Sequence, residues 1–394
     1  MRQREAPVTT TAEPDLLAAI RELDPMIRAH ADKAEADREV PAAVIDAMRD
    51  ARLFDMVLPR ALGGVETDIV TMIRAIEDAS IADGATGWAL GIGAGTSVVS
   101  AYLPPEVAQM MFAPGVIWGG PIAPNGRAVV VEGGYRVTGR WPFASGCRHC
   151  GWLVAGSMVY DGDNLKMNGA GAPDYRLVCL PASDVEIIDT WRTTGLRGTG
   201  SHDIELRDVF VPAERTIGIA ADRPINDGPL YRFPIFSFLA FTVAPVATGI
   251  ARRALDEFAA LAERKRPVFS GAPLRERATV QADIARAEAT LRSARAFMYE
   301  SAAEAWDIVA AGGRIDTPGR AVLRLAGAHA TLESAKVVDT AYTLAGSSSV
   351  YDGSIIQRLF RDVHTATQHV SLNAANYETT GRVLLGLPSN SPLL

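Results

Sequence analysis

The spacing of hydrophobic residues changes twice along this chain of 394 residues, and that change constrains the fold more than any other feature. Residues 12–113, and the stretch from Tyr231 onward, carry apolar residues three and four positions apart, which is the spacing of amphipathic helices. Residues 116–222 instead carry short runs of apolar and β-branched residues separated by Gly and Pro, which is typical of strands. The sequence therefore predicts helices, then a small β-domain, then helices again.

Turn and capping residues refine this organisation. Gly133 and Gly134 separate two β-like runs and predict a hairpin. Thr317 as N-cap and Pro318 at the first helical position predict the start of a long helix. We expect an α+β chain with three domains. These are an N-terminal helical domain at 1–115, a small antiparallel β-barrel or sandwich at 116–228, and a C-terminal four-helix bundle at 229–394.

Composition excludes several classes of protein. Hydrophobic residues make up 48% of the chain, which is enough to bury a core at this length and excludes disorder. Lys and Arg number 39 against 46 Asp and Glu, and a net charge of −7 without a basic run argues against a nucleic-acid partner. No uninterrupted apolar run is long enough to span a membrane, and no secretory signal is recognisable. We therefore expect a cytoplasmic protein that binds a small molecule.

The three cysteines favour a reducing compartment and do not indicate a metal site. Cys147 and Cys150 form a Cys-x-x-Cys pair with His149 between them, a pattern used in redox and zinc chemistry. Zinc would need a second pair of ligands, and Cys179 alone does not supply one. We expect core cysteines and no bound metal.

Phosphate-binding glycine motifs and nucleophile elbows are absent. Three other segments carry candidate catalytic and ligand-binding residues, and the first two are 361–369 and 139–146. In residues 361–369, His364 and His369 could act as general bases, although polar positions at a helix end are the simpler interpretation. In residues 139–146, aromatic side chains beside a serine could enclose a flat aromatic ligand. The simpler interpretation there is a buried corner of the β-domain.

A third candidate segment, residues 191–201, contains three glycines, several hydroxyl side chains and two arginines. This composition is typical of a tight loop with exposed backbone amides, which binds anions. A long β-turn connection explains the same residues equally well.

These segments, together with the order of the three domains, resemble the acyl-CoA dehydrogenase fold and, within it, the branch of two-component flavin-dependent monooxygenases (group D). The resemblance extends over residues 15–387. It is carried by Gly-Tyr-Arg-Val-Thr-Gly-Arg-Trp-Pro-Phe-Ala-Ser-Gly-Cys-Arg-His at 134–149, by Gly-Leu-Arg-Gly-Thr-Gly-Ser-His-Asp at 195–203, and by the Arg361-Asp362 to His369 stretch.

The resemblance implies an enzyme that receives reduced FMN or FAD from a separate flavin reductase. With O2 it would form a C4a-(hydro)peroxyflavin and oxygenate an aromatic or polycyclic substrate. Ser145 would lie at flavin N5 and His369 near C4a, with His364 a further catalytic candidate. The implied cofactor-binding residues are Trp141, Phe143, Ser145, Gly146, Trp191, Arg197, Thr199, Ser201 and Arg361. A homotetramer or homodimer is also implied, with Arg361 reaching the cofactor phosphates across a subunit contact.

Two departures from the family pattern keep alternatives open. Several such monooxygenases carry a substrate-side histidine in the N-terminal helical domain, whereas this chain has small residues at 87–97, which suggest room for a bulky substrate. True acyl-CoA dehydrogenases carry a catalytic glutamate after the final Arg-Asp, and residues 364–371 contain no carboxylate. A dehydrogenase or oxidase on the same fold, and a catalytically silent homologue, remain the alternatives.

Overall fold

The computed structural model describes residues 15–219, 222–268, 271–389, 391 and 394. The N-terminal helices are α1 (Leu16–Asp37), α2 (Ala42–Asp50), α3 (Ile69–Ala82), α4 (Gly84–Gly95) and α5 (Pro105–Met111). The strands are β1 (Trp118–Gly119), β2 (Gly126–Val131), β3 (Gly134–Ala144), β4 (Trp152–Asp161), β5 (Asn164–Leu165), β6 (Tyr175–Pro181), β7 (Glu186–Ile188), β8 (His202–Pro212) and β9 (Thr216–Ile217). The C-terminal helices are α6 (Pro229–Arg232), α7 (Ile235–Phe241), α8 (Ala244–Arg264), α9 (Ala278–Ala310), α10 (Thr317–Ala345), α11 (Ile355–Ala366) and α12 (Ala375–Leu384).

The order of these elements confirms the predicted fold class. Helices α8, α9, α10 and α11 pack on one another as the C-terminal bundle, and α3 of the N-terminal part packs on α8 and α9. The secondary structure changes type between Met111 and Trp118 and again between Ile217 and Pro229. The domain boundaries at 115/116 and 228/229 stay predictions.

The central sheet is mixed, whereas the sequence predicts antiparallel pairing only. Its strand order is β7-β8-β3-β2-β4-β6-β9, with β1 and β5 both paired to β4. The expected β2–β3 hairpin is present, with Val131 opposite Gly134 and Gly133 at φ 77°. However, β2 and β1 pair with β4 in parallel. Strand pairing between segments distant in sequence is a tertiary property that the local apolar pattern does not encode.

Aspartates cap several helices at their N-termini. Asp83 accepts a hydrogen bond from Thr86 N at 2.8 Å and so begins α4. Asp316, rather than the predicted Thr317, caps α10, accepting from Gly319 N at 2.9 Å. A carboxylate at this position both accepts the free amide protons of the first turn and interacts favourably with the helix dipole.

One segment of the described chain, Ile235–Arg264, is long and apolar enough to cross a membrane by length and composition. Most of this apolar stretch, which comprises α7 and α8, is buried inside the fold. Core helices of soluble proteins pass the same test.

A buried carboxylate ties the N-terminal helices to the bundle. Glu77 on α3 is 1% exposed and accepts from Arg295 at 2.7 and 2.6 Å, from Tyr299 at 2.7 Å and from Thr248 at 2.5 Å. The hydrogen bond and charge of Glu77 raise the pKa of Arg295. Removing one partner of such a pair leaves the other charge without compensation.

We predict that Glu77→Ala lowers the apparent free energy of unfolding by about 3 kcal/mol, since Arg295 would be left partly buried and unpaired. Urea denaturation followed by circular dichroism measures this change. Glu263→Ala is the matched control, because that carboxylate pairs with Arg275 at 63% and 55% side-chain exposure. Equal effects of the two substitutions would contradict a special role for the Glu77 cluster.

Candidate active site

A chain of buried hydroxyl groups follows β3 and the turn before β8. Ser145 Oγ lies 2.7 Å from Ser201 Oγ, which lies 2.7 Å from Thr199 Oγ1, and Thr199 donates to Leu196 O at 2.8 Å. The three hydroxyl residues are between 2% and 8% exposed. Two motifs that are separate in sequence, 139–146 and 191–201, therefore meet through their side chains.

Trp88 on α4 connects this hydroxyl chain to the C-terminal part of the protein. Its indole Nε1 donates to Ser145 Oγ at 3.1 Å, and its ring meets the His369 imidazole edge-on, with centroids 5.5 Å apart. Trp88 is 7% exposed. One residue of the N-terminal helices thus brings together two of the three residues predicted as catalytic, Ser145 and His369.

Phe143 and Trp191 form an aromatic face beside the hydroxyl chain. Phe143 is 67% exposed, has φ 67° and lies where the β3–β8 register shifts. A bulky residue in the left-handed region is strained, and such strain is concentrated at functional sites. Its ring meets Trp191 edge-on at 6.1 Å, and the Trp191 indole donates to Leu196 O at 3.0 Å.

The loop that carries Thr199 and Ser201 is fixed by α11. Asp362 Oδ1 accepts from Leu196 N at 2.6 Å, and Arg361 donates to Thr194 O and to Glu35 Oε1, the latter at 2.8 Å. Burial raises the pKa of Asp362 to about 7. A side chain on Gly195 would collide with the Arg361 backbone, whose carbonyl oxygen would lie 2.1 Å from the added Cβ. The close contact between this loop and α11 therefore requires a glycine at position 195.

Desolvation sets the charge of His369. The loss of water around the ring, with a smaller contribution from Arg324, lowers the pKa of His369 to about 4. Ser371 N donates to Nδ1 at 3.3 Å, which places the ring proton of the neutral form on Nε2. His369 therefore presents a neutral N–H donor near pH 7.

Two predicted site residues lie elsewhere. Trp141 is fully buried in the sheet, where its indole donates to Gly156 O at 2.7 Å, so it serves the core of the β-domain. His364 faces α10, with Nε2 2.8 Å from Asp339 Oδ1 and its ring against Phe360, and contacts none of the site residues above. The interpretation of His364 as a polar residue near a helix end fits this position.

The remaining predicted residues lie on the loops around the hydroxyl chain. Gly146 has φ 66° and donates its N–H to Thr199 O at 2.8 Å. Arg197 is 3.9 Å from Glu35, and its Nε is buried without a hydrogen-bond partner. Arg361 is engaged within the chain, as described above. Its predicted contact with cofactor phosphates stays a prediction.

The glycines of α4 allow neighbouring elements to pack closely against this helix and do not leave space for a ligand. A Cβ on Gly91 would lie 1.9 Å from Thr242 O, one on Gly87 1.9 Å from Ser80 Oγ, and one on Gly93 2.8 Å from the Phe54 ring. The expectation that small residues at 87–97 provide space for a bulky substrate is therefore wrong for these three positions. They allow α4 to pack closely and so fix Trp88.

A narrow cavity adjoins Ser145. It is lined by Ile45, Phe54, Ala89, Gly93, Ile117, Trp118, Ser145, Gly146, His149 and Cys150. Burial lowers the pKa of His149, and its Nε2 lies 3.7 Å from Glu39 Oε1. The wall of this cavity is mostly apolar, but its accessible volume of about 10 Å³ is that of a single water molecule and too small for an aromatic ring.

The cysteines are buried thiols. Burial raises the pKa of Cys147 to about 11 and that of Cys179 to about 12, and it raises the pKa of Cys150 further. Thiols with raised pKa values are poor nucleophiles and poor ligands. Among the residues that the structure describes, no group of three or more His, Cys, Asp or Glu side chains is placed to hold a metal ion.

Sequence reasoning missed Trp88 and the structural role of Asp362. Residues 87–97 stand out by their small side chains and their lack of histidine, but the single tryptophan among them also indicates a defined contact. Asp362 directly follows Arg361 in a recognised motif, but nothing local shows that its partner lies more than 160 residues away.

The fold and the site together define a protein of the acyl-CoA dehydrogenase fold whose site is suited to oxygen chemistry. Helical N-terminal and C-terminal parts enclose a central sheet, and serine, tryptophan and histidine meet between them. The Asp362 carboxylate near the C-terminal motif is held by Leu196 N rather than presented to a ligand.

Comparisons with known proteins identify the family. The acyl-CoA dehydrogenase N-terminal domain family matches residues 14–110, and the C-terminal domain family matches residues 241–374. Indole-3-acetate monooxygenase of Pseudomonas putida is 34% identical over 361 residues, covering 91% of this chain and 90% of that protein. The chain belongs to the flavin-dependent monooxygenases of the acyl-CoA dehydrogenase family, as predicted.

Two further relatives agree. The oxygenase subunit HsaA, a flavin-dependent monooxygenase of Mycobacterium tuberculosis, is 28% identical over 400 residues, covering 96% of this chain and 97% of that protein. The structure of XiaF from Streptomyces in complex with FADH2 and glycerol is 25% identical with a TM-score of 0.88, covering 96% of this chain and 97% of that one.

We predict that His369 titrates near pH 4, and NMR of the imidazole carbons, assigned with His369→Asn, measures this. Unfolded histidine titrates at about 6.5, so between these values the unfolded state binds the extra proton. The contribution of His369 to stability is therefore complete above pH 6.5 and is lost as the pH falls toward 4. His369→Asn flattens this part of the stability curve, and an unchanged slope would contradict the assignment.

Proposed function

We propose that this chain is the oxygenase component of a two-component system. It takes reduced FMN or FAD from a separate flavin reductase and uses O2 to oxygenate an aromatic small molecule. The observation that carries this proposal is the contact of Trp88 with both Ser145 and His369. It supports one water-poor site with two polar groups, which is what oxygen transfer from a reduced flavin requires.

The residues present fit a flavin. The exposed Phe143 ring offers an aromatic surface for a flat tricyclic ring, and the largely buried Trp191 packs edge-on against it. Ser145, at the end of the buried hydroxyl chain, supplies a polar contact at the ring edge. The bound flavin would supply the activation of O2, and the protein would supply shape, dryness and placed hydrogen bonds.

The roles of the chain's own groups follow from their protonation. His369 holds a proton at Nε2 and can donate it in a hydrogen bond to the oxygen being transferred, since its low pKa keeps the ring neutral. Ser145 orients the ring edge. Trp88 closes the site against water and fixes the Ser145 hydroxyl through its indole N–H.

For the substrate we propose a bicyclic or larger aromatic compound, with indole-3-acetate as the first to test. This choice is supported by the similarity to indole-3-acetate monooxygenase. A further proposal, that the protein is a homotetramer or homodimer, is supported by exposed apolar residues near the C-terminus. These include Val370, Tyr377, Leu384 and Leu385.

The function is tested by mixing the protein with chemically reduced FMN or FAD, ¹⁸O2 and indole-3-acetate. We predict that the product carries one oxygen atom from O2, as mass spectrometry would show. A panel of indoles, phenols and polycyclic heteroaromatics extends the search. If neither flavin binds in the reduced state, or if bound FAD is instead reduced by an acyl-CoA, the proposal is wrong.

We predict that His369→Ala lowers the rate of product formation by about 100-fold, the scale of one placed proton-transfer or hydrogen-bonding group. Ser145→Ala is expected to increase hydrogen peroxide release per flavin oxidised. Oxygen consumption, peroxide and product are measured together. His364→Ala is the control, because the His364 side chain faces α10, where it pairs with Asp339 away from the site. An equal loss in the control would remove His369 from its proposed role.

A further inference from the structure

The hydrogen bonds in the buried hydroxyl chain can run in only one direction. A hydroxyl group has one proton to donate and two lone pairs to accept with. Thr199 Oγ1 lies 2.8 Å from Leu196 O, and a carbonyl oxygen only accepts, so the Thr199 proton is used there. Ser201 Oγ lies 2.7 Å from Thr199 Oγ1 and must therefore be the donor in that pair.

The same reasoning fixes Ser145. Because the Ser201 proton points to Thr199, the 2.7 Å contact between Ser145 and Ser201 requires Ser145 to donate. Trp88 Nε1 can only donate, and it fills one lone pair of Ser145 Oγ at 3.1 Å. Ser145 is left without a free proton and with one free lone pair.

We propose that the hydroxyl chain makes Ser145 an acceptor-only group, so that Thr199 and Ser201 determine how strongly this site favours reduced over oxidised flavin. This inference rests on the proposed function, with flavin N5 beside Ser145. Reduced flavin carries a proton on N5 and can donate to Ser145. Oxidised flavin has only a lone pair on N5, which faces the lone pair of Ser145 and gains no hydrogen bond.

Oxidised flavin could gain that bond only if the chain gave up one of its own. Ser145 would have to turn its proton from Ser201 to N5, which leaves a buried acceptor unfilled. One buried hydrogen bond corresponds to roughly a tenfold difference in affinity between the two redox states. Thr199 and Ser201 are therefore positioning residues for specificity, although they act on the ligand only through Ser145.

The test compares dissociation constants for oxidised flavin in air and reduced flavin under anaerobic conditions, using FMN and FAD in turn and quenching of tryptophan fluorescence. Wild type is expected to bind reduced flavin at least about tenfold more tightly. In Thr199→Val, Ser201 loses its acceptor and can donate to Ser145, which frees the Ser145 proton. We predict that oxidised flavin then binds more tightly and the ratio approaches one.

Three further variants make the result specific. Thr199→Ser keeps the hydroxyl and should keep the wild-type ratio. Thr331→Val removes another buried hydroxyl, which bonds only within α10, and should change neither constant. Ser201→Ala frees the Ser145 proton by a different route and replaces Thr199→Val should that variant fail to fold.

Each outcome has one meaning. Equal affinity of wild type for both redox states overturns this inference and leaves the proposed function standing. A parallel loss of both affinities in Thr199→Val and Ser201→Ala shows a merely structural role and also overturns it. Failure of wild type to bind flavin in either state overturns the proposed function itself.

Discussion

The site depends on one buried carboxylate that belongs to a different part of the chain. Asp362 on α11 accepts the amide proton of Leu196 at 2.6 Å and is 3% exposed. The carbonyl group of Leu196 in turn accepts from Thr199 and from the Trp191 indole, at 2.8 and 3.0 Å. Asp362, a residue of the C-terminal bundle, thus helps to orient both the hydroxyl chain and the aromatic face through Leu196. Leu196 has φ 49°, a strained conformation for this residue, and the hydrogen bond to Asp362 helps to stabilise it.

Local sequence patterns predict the fold well because the two spacings of apolar residues are physical requirements of helices and strands. They do not predict the parallel pairing of β2 with β4, since a strand's own residues look the same beside either neighbour. The sequence predicts the cap of α10 one residue too late, at Thr317, for a related reason. Both Asp316 and Thr317 are good capping residues, and only the backbone conformation distinguishes them.

The candidate residues show where sequence reasoning succeeds and fails within one motif. Along β3, Tyr135, Val137 and Trp141 occupy alternate positions on the buried face. This period-two spacing of large apolar residues indicates that Trp141 belongs to the core. Phe143 breaks this alternation at the register shift and points outward, which no period-two pattern shows. Trp88 could not be joined to Ser145 from sequence, because the two lie 57 positions apart on different elements.

Because Trp88, Ser145 and His369 come from three separate parts of the chain, their meeting requires that those parts pack together with little freedom. The glycines of α4 contribute to this by direct contact with Thr242 and Ser80, and Glu77 contributes through its bonds to α8 and α9. These contacts do not touch a ligand, yet they fix the indole that donates to Ser145. A hydrogen-bond chain with a single direction needs every oxygen within about 3 Å of its neighbour. Close packing around α4 is therefore a condition for the specificity that the hydroxyl chain provides.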